Sequence, residues 1–246
     1  MCGIIGFKNT FAIGDKKLAL RHLHLRGPDY TGEYTDNLNN IWLGHTRLAI
    51  QDLSNAANQP FSIYENDSYV ITFNGEIYNA LFLKDKLINS GIEFKTKSDT
   101  EVLLQAYKVW GLELFSFLEG MFAFAIWDKN KKALLLARDP VGQKPLYYHI
   151  SKKKELYFAS NLKSLLSILP FTPRISRHAL AYILSLGYIP NSHTVYEGIN
   201  SLEQGHFMLF TDTSFRIEKY WSVNDIPFNS NPIESQKSTF DYTFRN

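Results

Sequence analysis

The chain has 246 residues, 45% of them hydrophobic, with 26 basic and 24 acidic side chains for a net charge of +2. That length suits one large domain, or one domain and the beginning of another, and it allows a substantial buried core. The charges are mixed along the chain, so no field of one sign exists to attract nucleic acid or a membrane surface, and a small neutral or zwitterionic partner is expected instead. The single cysteine cannot close an internal disulfide, no charged stretch leads into an apolar segment of signal-peptide length, and no apolar run approaches the roughly 20 residues of a spanning helix. The expectation is a soluble, cytoplasmic protein.

In chain order, MCGIIGF opens with an apolar run. Asp15 to Arg26 carries Leu18, Leu20, Leu23 and Leu25 among basic residues, which predicts a first helix ended by Gly27 and Pro28, with RGPD as a loop. Ile41 to Ile50 and Ser68 to Phe73 are rich in aromatic and β-branched residues and predict strands. From Ile77 to Ser90 the period changes to apolar residues at 77, 81, 87 and 88, which predicts a helix closed by Gly91. Ser98 and Glu101 form a capping-box pattern before VLLQAYKVW, with Gly111 as the stop. Strands are expected again in MFAFAIWD, ALLLARD, LYYHI and LYFAS, with the lysine runs KNKK and SKKKE as solvated turns. Two helices follow, NLKSLLSIL and the Ser176-capped SRHALAYILSL, then a hairpin of GHFMLFTD and SFRIEKYW. Antiparallel hairpins separated by pairs of helices indicate an α+β layered domain. From Ser222 the chain reads as a linker, so one domain is expected at residues 1–221, and QKSTFDYTFRN begins something helix-like that stops.

Cys2 is the first candidate for chemistry. A free cysteine is usually a small buried hydrophobe. At position 2, however, removal of Met1 would place the thiol and a free α-amino group on one residue. The reference pKa of that amine, near 8, lies close to the thiol's near 8.5, so the amine can accept the thiol proton at neutral pH. Asn74-Gly75 after a strand would ordinarily be a hairpin turn, but the helix-like segment after Glu76 puts the dipeptide at a strand-to-helix junction. There an amide side chain and a backbone N–H could form an oxyanion hole. Asp99, in the first turn of a capped helix, would by itself only complement the helix dipole. For Arg47 a solvated strand face is the plain reading, although its fork would suit a carboxylate. His45 and the other histidines show no metal-ligand spacing, so no metal site is expected.

Taken together, MCGIIGF, RGPD, GHTRLAIQDLS...QP, FNGEIYN, SDTEVLLQAY, GMFAFAIWD and ARDPVGQKPLYY resemble the glutamine-hydrolysing part of the class II glutamine amidotransferases, and within them the glutamine-hydrolysing asparagine synthetase family, from Met1 to about Trp221. The resemblance implies a four-layer αββα N-terminal-nucleophile sandwich of two antiparallel sheets between helical layers. It implies Cys2 as the nucleophile, with its own α-amino group as proton acceptor and donor, and Asn74 and Gly75 as the oxyanion hole. Arg47 would clamp the α-carboxylate of L-glutamine, Glu76 and Asp99 would hold its α-ammonium group, and the backbone of Arg47, Leu48, Ala49, Ile50 and Gln51, as a strand, would line the pocket. Two positions depart from the family pattern: Leu25 stands before Arg26 where histidine is usual, and Ala49 where serine is common.

The resemblance further implies that residues 222–246 hold a linker and the truncated start of a synthetase domain, in a shortened gene product or an excised piece. No cofactor is expected in this chain, since ATP and Mg2+ would belong to the missing domain. The expected function is hydrolysis of L-glutamine to glutamate and ammonia through a Cys2 thioester, with a synthetase domain or subunit as ammonia acceptor and a homodimer left open. The competing expectations are an amidotransferase subunit for another acceptor, such as a sugar in polysaccharide biosynthesis, and a non-catalytic glutamine-binding module.

Overall fold

In a computed structural model that describes residues 1–10, 13–63, 68–190 and 192–225, the N-terminal apolar run is β1 (Gly3–Lys8). It lies in the middle of a six-stranded sheet, antiparallel to β3 (Ile41–Arg47) on one side and β9 (Leu156–Ala159) on the other. All six residues of β1 are buried. An edge strand with one solvated face would alternate, whereas β1 is covered on both faces and so reads as a continuous apolar run. Ile4 points into the space between two sheets and Ile5 into the layer of helices outside. Burying each is worth roughly 1.5–3 kcal/mol, which pins the start of the chain.

The first sheet is completed by β2 (Tyr30–Asp36), β8 (Tyr147–Ile150) and the two-residue β10 (Asn200–Ser201), in the order β10-β8-β9-β1-β3-β2. The second also has six strands: β4 (Phe61–Ser62), β5 (Tyr69–Ile77), β6 (Gly120–Asp128), β7 (Ala133–Arg138), β11 (His206–Phe210) and β12 (Phe215–Lys219), ordered β12-β11-β7-β6-β5-β4. Every strand pair is antiparallel. Ile4, Leu43, Trp127, Leu136, Phe158 and Met208 fill the interface between the sheets. Outside the first sheet, α1 (Lys16–Leu23) and α4 (Leu162–Ile168) pack on Ile5, Phe7 and Trp42. Outside the second, α2 (Ala80–Asn89) and α3 (Asp99–Trp110) pack on Ile71, Phe73 and Phe124. These are the four layers of the expected αββα sandwich. A further helix, α5 (Arg177–Leu186), is capped by Ser176 as expected.

Several boundaries differ from the sequence expectations. The first helix ends at Leu23, and His24–Arg26 form a tighter turn. The segment after RGPD is strand β2, held by pairing with the whole of β3 from Tyr30↔Arg47 to Asp36↔Ile41. Strand β3 stops at Arg47, so Leu48, Ala49, Ile50 and Gln51 form a loop where a strand was expected. Ile77 belongs to β5, and α2 begins at Ala80 and buries Leu83 and Leu87, leaving Leu81 and Ile88 exposed. Ser98 caps α3 through Thr100 N, but Glu101 accepts from the backbone of Lys95 and Thr96 instead of closing a capping box on Ser98. Gly91 and Gly111, the expected helix stops, have φ of 83° and 57°, the left-handed region where a Cβ is strained. The expected helix-like start in QKSTFDYTFRN, and the linker beyond Asp225, lie outside the described residues.

Candidate active site

Because β1 is central, Cys2 sits at its mouth, half-buried and facing the loop that leaves β3. The amide of Leu48 donates to Cys2 Sγ at 3.4 Å, and the thiol faces Leu48 O at 3.7 Å. Arg26 Nε donates to the Cys2 carbonyl at 3.0 Å, fixing the backbone of the same residue from the other side. Burial pushes the thiol's pKa up, opposed by the Leu48 amide, the positive chain start and Arg47, with Asp99 adding to the rise. The loop 48–51 is itself tied to RGPD: Asp29 N donates to Arg47 O at 2.9 Å, and Ala49 N to Asp29 Oδ2 at 2.8 Å.

Cys2 opens on a cavity of about 120 Å3 lined by Arg47, Asn74, Gly75, Glu76 and Asp99, together with Leu48, Ile50 and Gln51. The candidates expected from the sequence therefore converge, except Ala49, which does not line it. Arg47 corrects the solvated-face reading, since it is 7% exposed. Segment 52–58 folds over it, and its guanidinium donates to Ser54 O at 2.9 Å, Asn58 Oδ1 at 2.7 Å and the carbonyl of Asp52. These bonds use three of the five N–H groups of an arginine fork and leave two for a ligand.

Asn74 and Gly75 are not at a strand-to-helix junction. They lie within β5, paired with Ala123 and Phe122 of β6, and Glu76 and Ile77 continue the strand. The site therefore owes nothing to the N-terminus of a helix at this point. Asn74 is 1% exposed, and its Nδ2 has no hydrogen-bond partner. A buried amide donor without a partner costs about 1–3 kcal/mol, a cost that a bound acceptor would remove. Gly75 is required for close packing, since a Cβ there would run into the Met121 carbonyl of β6.

Asp99, at the start of α3, is 7% exposed and accepts from Ile77 N at 3.1 Å, so its carboxylate bridges helix and strand. Burial raises its pKa to about 6, with the neighbouring Glu76 carboxylate adding to the rise and the Ile77 amide opposing it. Glu76 accepts from Gln51 Nε2 at the rim. The cavity thus offers a buried cation at one end, two carboxylates at the other, and between them a thiol and an unpaired amide donor. That charge pattern fits a zwitterion with a polar side chain.

Sequence reasoning missed four participants. Arg26 sits one residue before Gly27, where the expected first helix meets the RGPD loop, and has no expected role in the site. Gln59 spans the cavity wall, with Oε1 accepting from Phe73 N and Nε2 donating to Thr100 Oγ1. Buried Lys144 lines the cavity with its ammonium 3.4 Å from Met1 Sδ. His45 lies beneath the site, donating through Nε2 to Phe73 O at 3.1 Å. Burial and the nearby Arg47 charge push its pKa down to about 3, against the Phe73 carbonyl, so it is neutral. All four act through contacts distant in sequence and leave no local pattern. Among the described residues no group of three His, Cys, Asp or Glu side chains comes together as metal ligands, and no helix is long and apolar enough to cross a membrane.

Two antiparallel sheets between helical layers, with a thiol at the mouth of a central N-terminal strand, define a sandwich of the N-terminal-nucleophile type. The chain belongs to the glutamine amidotransferase domain family, whose model matches residues 1–221. It is 36% identical to asparagine synthetase [glutamine-hydrolyzing] 1 of Bacillus subtilis (strain 168), over 98% of this chain and 38% of that protein. It is 35% identical to the putative asparagine synthetase [glutamine-hydrolyzing] 2 of Methanocaldococcus jannaschii, over 92% of this chain and 47% of that protein. The chain thus spans less than half the length of these curated relatives. Its fold is similar to a solved glutamine phosphoribosylpyrophosphate amidotransferase from B. subtilis, with a TM-score of 0.64 at 23% identity, over 89% of this chain and 49% of that one.

Proposed function

We propose that this chain hydrolyses L-glutamine to L-glutamate and ammonia, with Cys2 as nucleophile once Met1 has been removed. The observation that carries the reading is the partnerless Nδ2 of buried Asn74 in the same cavity as the Cys2 thiol. The Arg47 guanidinium would take the substrate α-carboxylate and Glu76 with Asp99 the α-ammonium, aligning the side-chain amide with Sγ. The free α-amine of Cys2 takes the thiol proton as sulfur attacks the amide carbon, and the carbonyl electron pair moves onto oxygen, held by Asn74 Nδ2 and Gly75 N–H. The amine then gives its proton to the leaving nitrogen, the C–N bond breaks and ammonia departs, leaving a γ-glutamyl thioester. Water adds to that carbonyl as the amine accepts its proton, the C–S bond breaks, and the proton returns to sulfur.

The relatives' names favour a synthetase domain or subunit that uses the ammonia, with aspartate as acceptor and ATP with Mg2+ as that partner's requirement, over a sugar acceptor. The nucleophile argues against a non-catalytic module, which needs none. A thiol that must stay reduced suits the cytoplasm. Intact-mass analysis before and after a glutamine-like electrophile tests the reading: Met1 absent and a single adduct on Cys2 is the expected result, and retained Met1 or unlabelled Cys2 overturns it.

A further inference from the structure

The loop that closes over Arg47 also reaches the other two walls of the cavity. Asn58 Oδ1 accepts from Arg47 Nη1 at 2.7 Å. The next residue, Gln59, is 6% exposed, and its side chain holds two different elements. Oε1 accepts from Phe73 N at 2.6 Å, one residue before Asn74 on β5. Nε2 donates to Thr100 Oγ1 at 3.1 Å, one residue after Asp99 on α3. Strand β4 is only two residues long, pairing Phe61 with Ile71 and Ser62 with Val70. Continuing that register would set Gln59 opposite Phe73, but there the side-chain oxygen supplies the acceptor that a strand carbonyl would have given.

We propose that Gln59 is a positioning residue that sets the spacing between Arg47, Asn74 and Asp99. The inference rests on the glutaminase reading. A zwitterionic head group fits only one separation of cation and carboxylates, and the attacked carbonyl must fall beside Asn74 at that same separation. Arg47 ends strand β3 of one sheet, β5 belongs to the other sheet and α3 to a helix outside it, three elements that could drift independently. Gln59 and its neighbour Asn58 hydrogen-bond to all three, and a misplacement of about 1 Å at such a site can cost about a hundredfold in rate.

The test compares two alkylations of Cys2 in the full chain with Met1 removed. Iodoacetamide needs only the thiol, whereas a glutamine-shaped diazoketone needs the thiol and both anchors. Gln59→Met, close in volume and unable to accept from Phe73 N or donate to Thr100, should slow diazoketone labelling by about tenfold to a hundredfold while iodoacetamide labelling stays within about twofold. Thr100→Val breaks only the arm to α3 and should slow it by about fivefold, through KM for glutamine and not kcat, with Thr100→Ser restoring the rate. If the diazoketone labels the wild type and both variants keep its ratio of the two rates, the positioning role is overturned alone. A wild type that the diazoketone does not label overturns the glutaminase reading and this inference with it. Loss of both alkylations in Gln59→Met, together with an unchanged ratio in Thr100→Val, would mean a purely structural role and also overturns it.

Discussion

The amide of Leu48 lies 3.4 Å from the sulfur of Cys2, across 46 residues of sequence, and so fastens the end of β3 to the start of β1. The contact puts a hydrogen-bond donor on the thiol and places Arg47, one residue earlier, on the wall of the same cavity. Cys2→Ala keeps β1 and the cavity but removes the nucleophile. Ammonia release from glutamine should fall to background, while glutamine binding, followed by calorimetry, should change by less than about threefold, because the proposed anchors Arg47, Glu76 and Asp99 are untouched.

On the proposed reading Asn74 gives its donor to the oxyanion, for which its Nδ2, without a partner in the free chain, is available. Removal of one such donor costs about 3–4 kcal/mol of transition-state stabilisation. Asn74→Ala should therefore lower kcat by about 10²–10³-fold with KM for glutamine little changed. A loss appearing only in KM would assign Asn74 to ground-state binding.

Arg47 is held by three bonds to segment 52–58, a geometry that a lysine cannot reproduce because its ammonium is a point donor on a flexible stem. Arg47→Lys should raise KM for glutamine by about tenfold or more and lower Tm, since the carbonyls of Asp52 and Ser54 lose their partner. A fluorescence melt beside steady-state kinetics checks both.

Much of this architecture is legible in the sequence, for identifiable reasons. The long apolar strands β6 and β7, and helix α3 with its Ser98 cap, announce themselves because burial on both faces or a capping residue is a local pattern. Cys2 is legible because its chemistry depends on its position in the chain. Strand β2 is not, because Gly32, Glu33 and Asp36 carry weak strand preference and the strand forms only by pairing with β3 along its full length. Asn74-Gly75 misleads for the same reason: the dipeptide prefers a turn, but pairing with β6 as far as Ile77↔Gly120 overrides it. Arg47 reads as solvated until the loop 52–58, invisible to strand alternation, folds over it. Gln59 is a further case, since its partners are 14 and 41 residues away.

Asp99 gives the site a pH dependence whose sign is fixed by burial. Its carboxyl has a pKa of about 6 in the folded chain against 3.8 as a free side chain, so the native state holds the proton more tightly than the unfolded one. The stability this lends is fully present below about pH 3.8 and is lost as pH rises through about 6, so at neutral pH the ionised group is a cost to the fold, which the proposed function would explain as the cost of binding. Asp99→Asn should therefore raise Tm at pH 7, by the equivalent of about 1–3 kcal/mol, while abolishing measurable glutamine binding. In the Cys2→Ala chain, if Asp99 holds the α-ammonium group as proposed, glutamine affinity should be flat between pH 7 and 8 and fall about tenfold per pH unit below about 6, because that role needs the ionised carboxylate. A bound ammonium stabilises that ionised form, so kcat of the active chain should show the limb at a lower pH than kcat/KM does. Calorimetric titrations across that range decide the matter: affinity that stays constant down to pH 5 would remove Asp99 from the ammonium site.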